Sequence, residues 1–347
     1  MTTLKPLAIH SCLRAFLALP ALTLLVACSG GGGGTASPVI PPTPVTDVYV
    51  AGTQNIGGMD IATYWLNGKP VKLGDDTVST QASAITVSDG NVYVAGVRRE
   101  TSGDIAQYWV NGKAVPVGLG SATGIAVSGS DVYVVGGVSE QGIGLAKLWK
   151  NGMGSTLAVP DGQAVATGIA LAGSDIVIPG YTYSNNSYFA TCWKNGQHSF
   201  LSGGQGMALS ATAKGSEVAL GGMTWRGDPA QMFVTVWKSD LSAHDLFAFN
   251  GYQASVPSVA ILGDKVLAAG TILIDSNTTK GFFWDGSTQQ DVGSSIRGMA
   301  LAGSDVYLVG HDAVLTPTVW KNGHPTPLPL LDGAKAAYPA AICTYVH

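Results

Sequence analysis

The side chains with chemistry to offer are few and scattered. Six histidines (His10, His198, His244, His311, His324 and His347) show no i, i+2 or i+4 pairing, so their spacing supports no zinc set and no metal is expected. Four cysteines (Cys12, Cys28, Cys192 and Cys343) contain no Cys-x-x-Cys pair. No His-Glu-x-x-His, Gly-x-Ser-x-Gly, Walker or EF-hand pattern occurs. The run Ser202-Gly203-Gly204-Gln205-Gly206 lacks the strand–helix context of a phosphate loop. Neither a catalytic set nor a cofactor is expected. One adjacency is suggestive: His311-Asp312, because a carboxylate can orient an imidazole for general-base work. Neighbouring residues on a strand point to opposite faces, however, and need not cooperate. The remaining candidates are arginines and aromatics: Arg98, Arg99, Arg226 and Arg297, with Tyr181, Tyr183, Trp225 and Tyr252. Arginine offers a planar fork to anions, and tyrosine and tryptophan are typical interface anchors.

The elements that must position these residues are legible as a repeat. An apolar segment ending in glycine recurs as Val48-Tyr-Val-Ala-Gly52, Val92-Tyr-Val-Ala-Gly96 and Val132-Tyr-Val-Val-Gly136. Looser copies end at Gly180, Gly222, Gly270 and Gly310, giving spacings of 44, 40, 44, 42, 48 and 40 residues. Ten to fifteen residues after each glycine comes a tryptophan: Trp65, Trp109, Trp149, Trp193, Trp237, Trp284 and Trp320. Five of the seven continue as Trp-x-Asn-Gly, the composition a two-residue type I′ hairpin requires. A unit therefore reads as strand a (Ile125 to Val127), a Ser-Gly-Ser-Asp turn, strand b (Val132 to Gly136), a variable b–c loop, strand c with its tryptophan, and a short strand d. The Asp before strand b is expected to bond local backbone amides, and the lysines after four tryptophans (150, 194, 238 and 321) to form a solvated rim.

Four strands at a period of 40 to 48 residues mark propeller blades. The chain enters at Asp47-Val-Tyr-Val, a strand b with no strand a before it, and leaves through Ala340 to Val346, a strand a with no strand b after it. The expectation is an all-β, seven-bladed β-propeller of four-stranded antiparallel blades, closed by pairing of the C-terminal strand with the N-terminal one. The pattern resembles kelch and WD propeller repeats, more kelch-like in its glycine-ended strand b and later tryptophan. It lacks the Gly-His and Trp-Asp pair of WD repeats and keeps the kelch double glycine only at Gly136-Gly137 and Gly221-Gly222. Val-Tyr-Val-x-Gly followed by Trp-x-Asn-Gly is similar to a bacterial propeller repeat, and that resemblance implies a fold and no activity.

Residues 1–27 read as an export signal: Lys5 and Arg14 give a basic start, and Ala15 to Ala27 is an apolar run too short to remain as a span. Its end, Leu25-Val26-Ala27-Cys28, resembles the lipobox of bacterial lipoproteins, which implies cleavage before Cys28 and lipidation of its thiol. Residues 28–46 form a Gly/Pro-rich tether and residues 47–347 the propeller. Serine at position 29 resembles the Gram-negative sorting signal for the outer membrane. Two triggers for nucleic-acid binding are missing: the formal net charge is −4, and no basic cluster stands out. A monomeric body is expected, held to the membrane by its lipid, with an envelope protein or glycan as partner.

Because the a–b and c–d turns are short and uniform, function is expected on the opposite face, where b–c loops and d–a connections emerge. Arg98, Arg99, Tyr181, Tyr183, Trp225, Arg226, His311 and Asp312 are assigned to b–c loops, and Tyr252 to a d–a connection. Arg297 aligns with Thr123 and Thr167, which places it at the mouth of the central channel. Three functional readings stay open: a binding or scaffolding module, a propeller hydrolase or lyase acting through Arg297, His311 and Asp312, and an outer-membrane assembly subunit that docks an extended strand.

Overall fold

Each repeat folds as one blade because its inner strands bury both faces and must be covered by a neighbour on either side, while its outer strand is exposed. The computed structural model describes residues 44–347 apart from 76, 161, 228, 229 and 252. Cys28, the export signal and nearly all of the tether lie outside the described residues. Five four-stranded antiparallel sheets and one eight-stranded sheet make up seven blades. Blades four and five share the continuous strand Gln197–Lys214, which is the outer strand of one and the inner strand of the next. As expected, the last strand, Ala334–Val346, pairs with the first, Thr46–Ile56, in a register running from Thr46 opposite Val346 to Ile56 opposite Ala334. Backbone bonds between Val45 and His347 in both directions extend that closure.

Seven apolar clusters hold the ring, each between two adjacent blades, and the one uniting Val50 and Trp65 with Tyr307 and Val309 joins blade one to blade seven. Every cluster takes one strand-c tryptophan, buried except for the half-buried Trp284. Several indoles also donate to the preceding blade: Trp65 Nε1 to Pro329 O at 2.7 Å, Trp193 to Ala158 O at 2.9 Å and Trp237 to Ser202 O at 2.7 Å. A large ring with its one polar group satisfied is the strongest anchor such an interface can have. Nearer the axis, hydroxyls stitch blade to blade: Thr123 to Ala166 O, Thr167 to Ala208 O, Ser210 to Val256 O, Ser258 to Met299 O and Thr344 to Leu301 O, all between 2.6 and 3.1 Å.

The closing glycine of strand b has a steric cause. Strand a carries a register shift opposite it, between Ala82 and Ala84 in blade two and between Ile296 and Gly298 in blade seven. A bulge of this kind leaves one residue unpaired and swings the chain toward its partner. At all seven glycines a carbonyl oxygen of the bulged strand fills the place of a Cβ.

Two expectations about the turns are corrected. The Asp before strand b does not serve its own turn: Asp131 accepts from the Asn151 side-chain amide and pairs with Lys150, and Asp175 and Asp305 do the same with Asn195 and Lys194, and with Asn322 and Lys321. Those asparagines sit at φ near 50°, and their Oδ1 atoms accept from the first amide of strand b, so each c–d hairpin is tied to the a–b turn beside it. Three of the four rim lysines are therefore ion-paired. The second correction concerns the variable loops. In blades one to four the b–c connection is a two-residue turn, and strands b and c run on past the glycine, from Asn91 to Glu100 in blade two and from Asp175 to Ser184 in blade four. The segment Tyr181 to Tyr188 is β-forming and alternating, and Asn185 and Asn186, both at positive φ, make its turn.

Candidate functional site

The bulges place one residue from each blade at a common level of the axis. Six of these are Ser83, Thr123, Thr167, Leu209, Arg297 and Ala340, and all six line a central cavity of about 660 Å³ bounded by the inner strands of all seven blades. Arg297 is the one charged residue in that lining. Its neighbours at this level are small, aliphatic or hydroxylic, and the Thr123 and Thr167 hydroxyls are already committed to the next blade. The Arg297 side chain is exposed and, among the described residues, makes no hydrogen bond or ion pair. It also borders two further recesses. One, of about 390 Å³, includes Asp60, Gln81, His311 and Tyr338; the other, of about 450 Å³, lies between blade seven and the start of the last strand. Arg297 thus stands where the central cavity and these two recesses adjoin.

His311 joins it there, held from two sides. Its Nε2 donates to Ala337 O at 3.1 Å, so the neutral ring carries its proton on that nitrogen and Nδ1 accepts from the Ser295 hydroxyl at 3.2 Å. Asp312 points elsewhere. Its Oδ1 accepts from the amides of Val314 and Thr316, fixing the 312–316 turn. Each member of the His311-Asp312 pair is thus used separately, and the carboxylate does not orient the imidazole.

The other arginines are occupied. Arg98 pairs with Glu100 at 2.6 Å. Arg99 bridges Asp104 at 2.9 Å and Gln81 Oε1 at 3.0 Å, and Gln81 Nε2 in turn donates to Asp60 at 2.8 Å. This relay holds one wall of the channel-mouth recess. Arg226 lies over the Phe233 ring at 4.5 Å, donates to Gly203 O at 2.9 Å and pairs with Asp245, which makes it a brace within blade five.

Tyr181, Tyr183 and Trp225 do come together, through Tyr188. The Tyr188 ring lies 5.7 Å from Tyr181, 4.8 Å from Tyr183 and 6.3 Å from Trp225, bridging blades four and five. Burial raises the Tyr181 phenol above its ordinary pKa. None of the three cavities that Arg297 lines includes Tyr181, Tyr183, Tyr188 or Trp225. Tyr252 lies outside the described residues. Among the described residues, no three His, Cys, Asp or Glu side chains gather as a metal site would need. Cys192 and Cys343 are both free, and burial pushes their thiols up to about 11 and about 12.

Sequence reasoning passed over Gln81 and Tyr338 at the mouth. Both stand two residues before a bulged position, Gln81 before Ser83 and Tyr338 before Ala340, so aligning the strands on their bulges would have found them. Leu315 carries no such signal, because the b–c connection that places it follows no repeat, and Lys335 stands at the start of the last strand, before the part that matches the repeat.

No protein-family model matches the chain, and no curated protein matches it. Solved structures do. The acylaminoacyl peptidase of Pyrococcus horikoshii is similar over 83% of this chain and 51% of its own, with a TM-score of 0.51 and 14% identity. TolB from Acinetobacter baumannii is similar over 85% of this chain and 82% of its own, with a TM-score of 0.46 and 11% identity. At such identities the peptidase likeness speaks for the fold alone, and the fold is that of a β-propeller.

Proposed function

We propose that the chain is a binding module of the bacterial cell envelope, lipid-anchored through Cys28, that takes an anionic group of a protein or glycan partner at the mouth of its channel. The observation that carries this reading is Arg297: an arginine with no partner among the described residues, alone in charge on the channel lining, at the junction of three recesses. A guanidinium so placed keeps its fork free for an incoming carboxylate or acidic sugar. Gln81 and His311 are held beside it by hydrogen bonds within the ring, with the Tyr338 ring against His311, and a preorganised site loses less entropy on binding. The lipobox-like Leu25 to Cys28 and the Gly/Pro tether support membrane attachment, and Ser29 favours the outer membrane. The separate commitments of His311 and Asp312 weigh against hydrolysis through that pair. The outer strands Lys69–Lys72 and His324–Pro327 carry lysine or proline, which weighs against strand addition there.

The test is isothermal titration of the full chain with a panel of anionic probes (succinate, a uronic-acid oligomer and an acidic peptide), with Arg297→Gln alongside. Binding of at least one probe, weakened tenfold or more by the substitution and falling with salt, is expected. Binding that is indifferent to Arg297, or none at all, ends the reading. Cys28→Ala should move the chain out of the membrane fraction.

A further inference from the structure

The recess that Arg297 shares with blade seven and the start of the last strand differs from the channel in chemistry. Its floor and lips include Arg297, Leu315, Pro317, Leu330, Lys335 and Tyr338, and its lining contains no Asp or Glu although the chain as a whole is acidic. Lys335 is exposed and, like Arg297, makes no ion pair or hydrogen bond among the described residues. Beside these two cations lie apolar side chains that folding leaves in water: Leu315 is 70% exposed, Tyr338 55% and Leu330 38%. The recess thus pairs an anion-binding inner end with an unburied apolar surface.

Leu315 adds an independent sign. Its backbone sits at φ +66°, a region that glycine and asparagine occupy at low cost and leucine does not. Leu241, the other leucine in that region, packs against the core between blades four and five. Leu315 has no such return within the fold. The Asp312 carboxylate, bonded to the amides of Val314 and Thr316, and the bond from Leu315 N to Asp312 O hold it there. An exposed apolar side chain, kept in a costly conformation at the lip of a recess, is the kind of feature that persists for binding.

We infer that this recess receives the C-terminal end of an extended polypeptide: its terminal carboxylate on Arg297, and its apolar last side chain against Leu315, Leu330 and Tyr338. This rests on the anion-binding reading above and names its ligand class. The volume, about 450 Å³, suits a chain end and not the flat face of a folded protein. Charge complementarity selects a carboxylate. The half-open form, with hydroxyls from Ser294 and Ser295 in the lining, suits a peptide better than a bare acyl chain, whose burial requires an enclosed apolar tunnel.

The test is fluorescence anisotropy of the full chain with an N-terminally labelled tetrapeptide, Ala-Ala-Ala-Leu, as the free acid, as the C-terminal amide, and with its last residue changed to Ser. The free acid should bind at least tenfold more tightly than the amide, and Arg297→Gln should erase that difference. Leu315→Gly should erase the preference for Leu over Ser while leaving the acid-over-amide preference intact. Equal binding of acid and amide, no preference for Leu, or displacement of the peptide by equimolar decanoate would overturn the inference. If the anionic panel still binds through Arg297 in that event, only the peptide end is lost; if nothing binds through Arg297, both readings fall.

Discussion

The carbonyl oxygen of Gln81 occupies the space that a Cβ on Gly96 would fill. The glycine that ends strand b is therefore the imprint of the bulge in strand a. That bulge is also what turns Ser83, and its counterpart Arg297, onto the channel. Fold signal and site geometry share one cause, a backbone too close for a side chain. Substituting Gly96→Ala is expected to destabilise by about 2 kcal/mol through forced backbone displacement. Gly144→Ala, where a new methyl meets only ordinary contacts, should change stability by less than about 1 kcal/mol. Urea denaturation of the two variants checks the contrast.

Arg226 and Arg297 should separate cleanly. Arg226→Ala removes a ring contact, a carbonyl bond and an ion pair that is 40% exposed on the arginine side, a loss of about 1 kcal/mol once solvent screening is allowed for. Arg297→Ala removes no intramolecular partner among the described residues and should leave the melting temperature unchanged. Equal effects on stability would show that Arg297 has a structural role.

Leu315→Gly should stabilise the fold even as it damages binding. Glycine keeps the left-handed conformation without the Cβ clash, which relieves about 1 to 2 kcal/mol, and its added chain entropy takes back roughly 0.5 to 1 kcal/mol. The net expectation is a gain of about 1 kcal/mol, seen as a higher denaturation midpoint. A lower midpoint would mean that Leu315 packs usefully in the folded state.

The free thiols set an alkaline limit. Burial raises Cys192 to about 11 and Cys343 to about 12, above the value of about 8.5 for an unfolded thiol. The unfolded chain therefore releases these protons first as pH rises. Stability is complete below about pH 8.5 and declines from there toward pH 12. Burial raises Tyr64, Tyr108 and Tyr181 in the same sense. Replacing both cysteines by alanine should flatten the loss of melting temperature between pH 8.5 and 10.5. In the native wild-type chain, labelling of the buried Cys192 thiol at pH 8 should be slow and become fast in urea.

What the sequence by itself determined is whatever each blade needs in its own interior. A bulge demands glycine, an inter-blade layer takes one large flat ring, and a type I′ hairpin requires Asn-Gly, so Gly96, Trp109 and Asn111 mark blade two in one dimension. Seven glycine and tryptophan marks, five of them with Asn-Gly, and a split first blade were enough to read the ring and its closure. The tertiary structure alone decided which side chains meet. Arg98, Arg99 and Arg226 look as available as Arg297 along the chain, yet Glu100, Asp104 and Asp245 engage them and nothing described engages the fourth. The tyrosines read as loop residues are strand residues, because an alternating β-forming segment with Asn-Asn at its turn continues the ladder. Tyr338 reaches His311 only because the last strand returns to the first. Local conformation answers to local sequence, whereas pairing between blades depends on distances that a linear repeat does not encode.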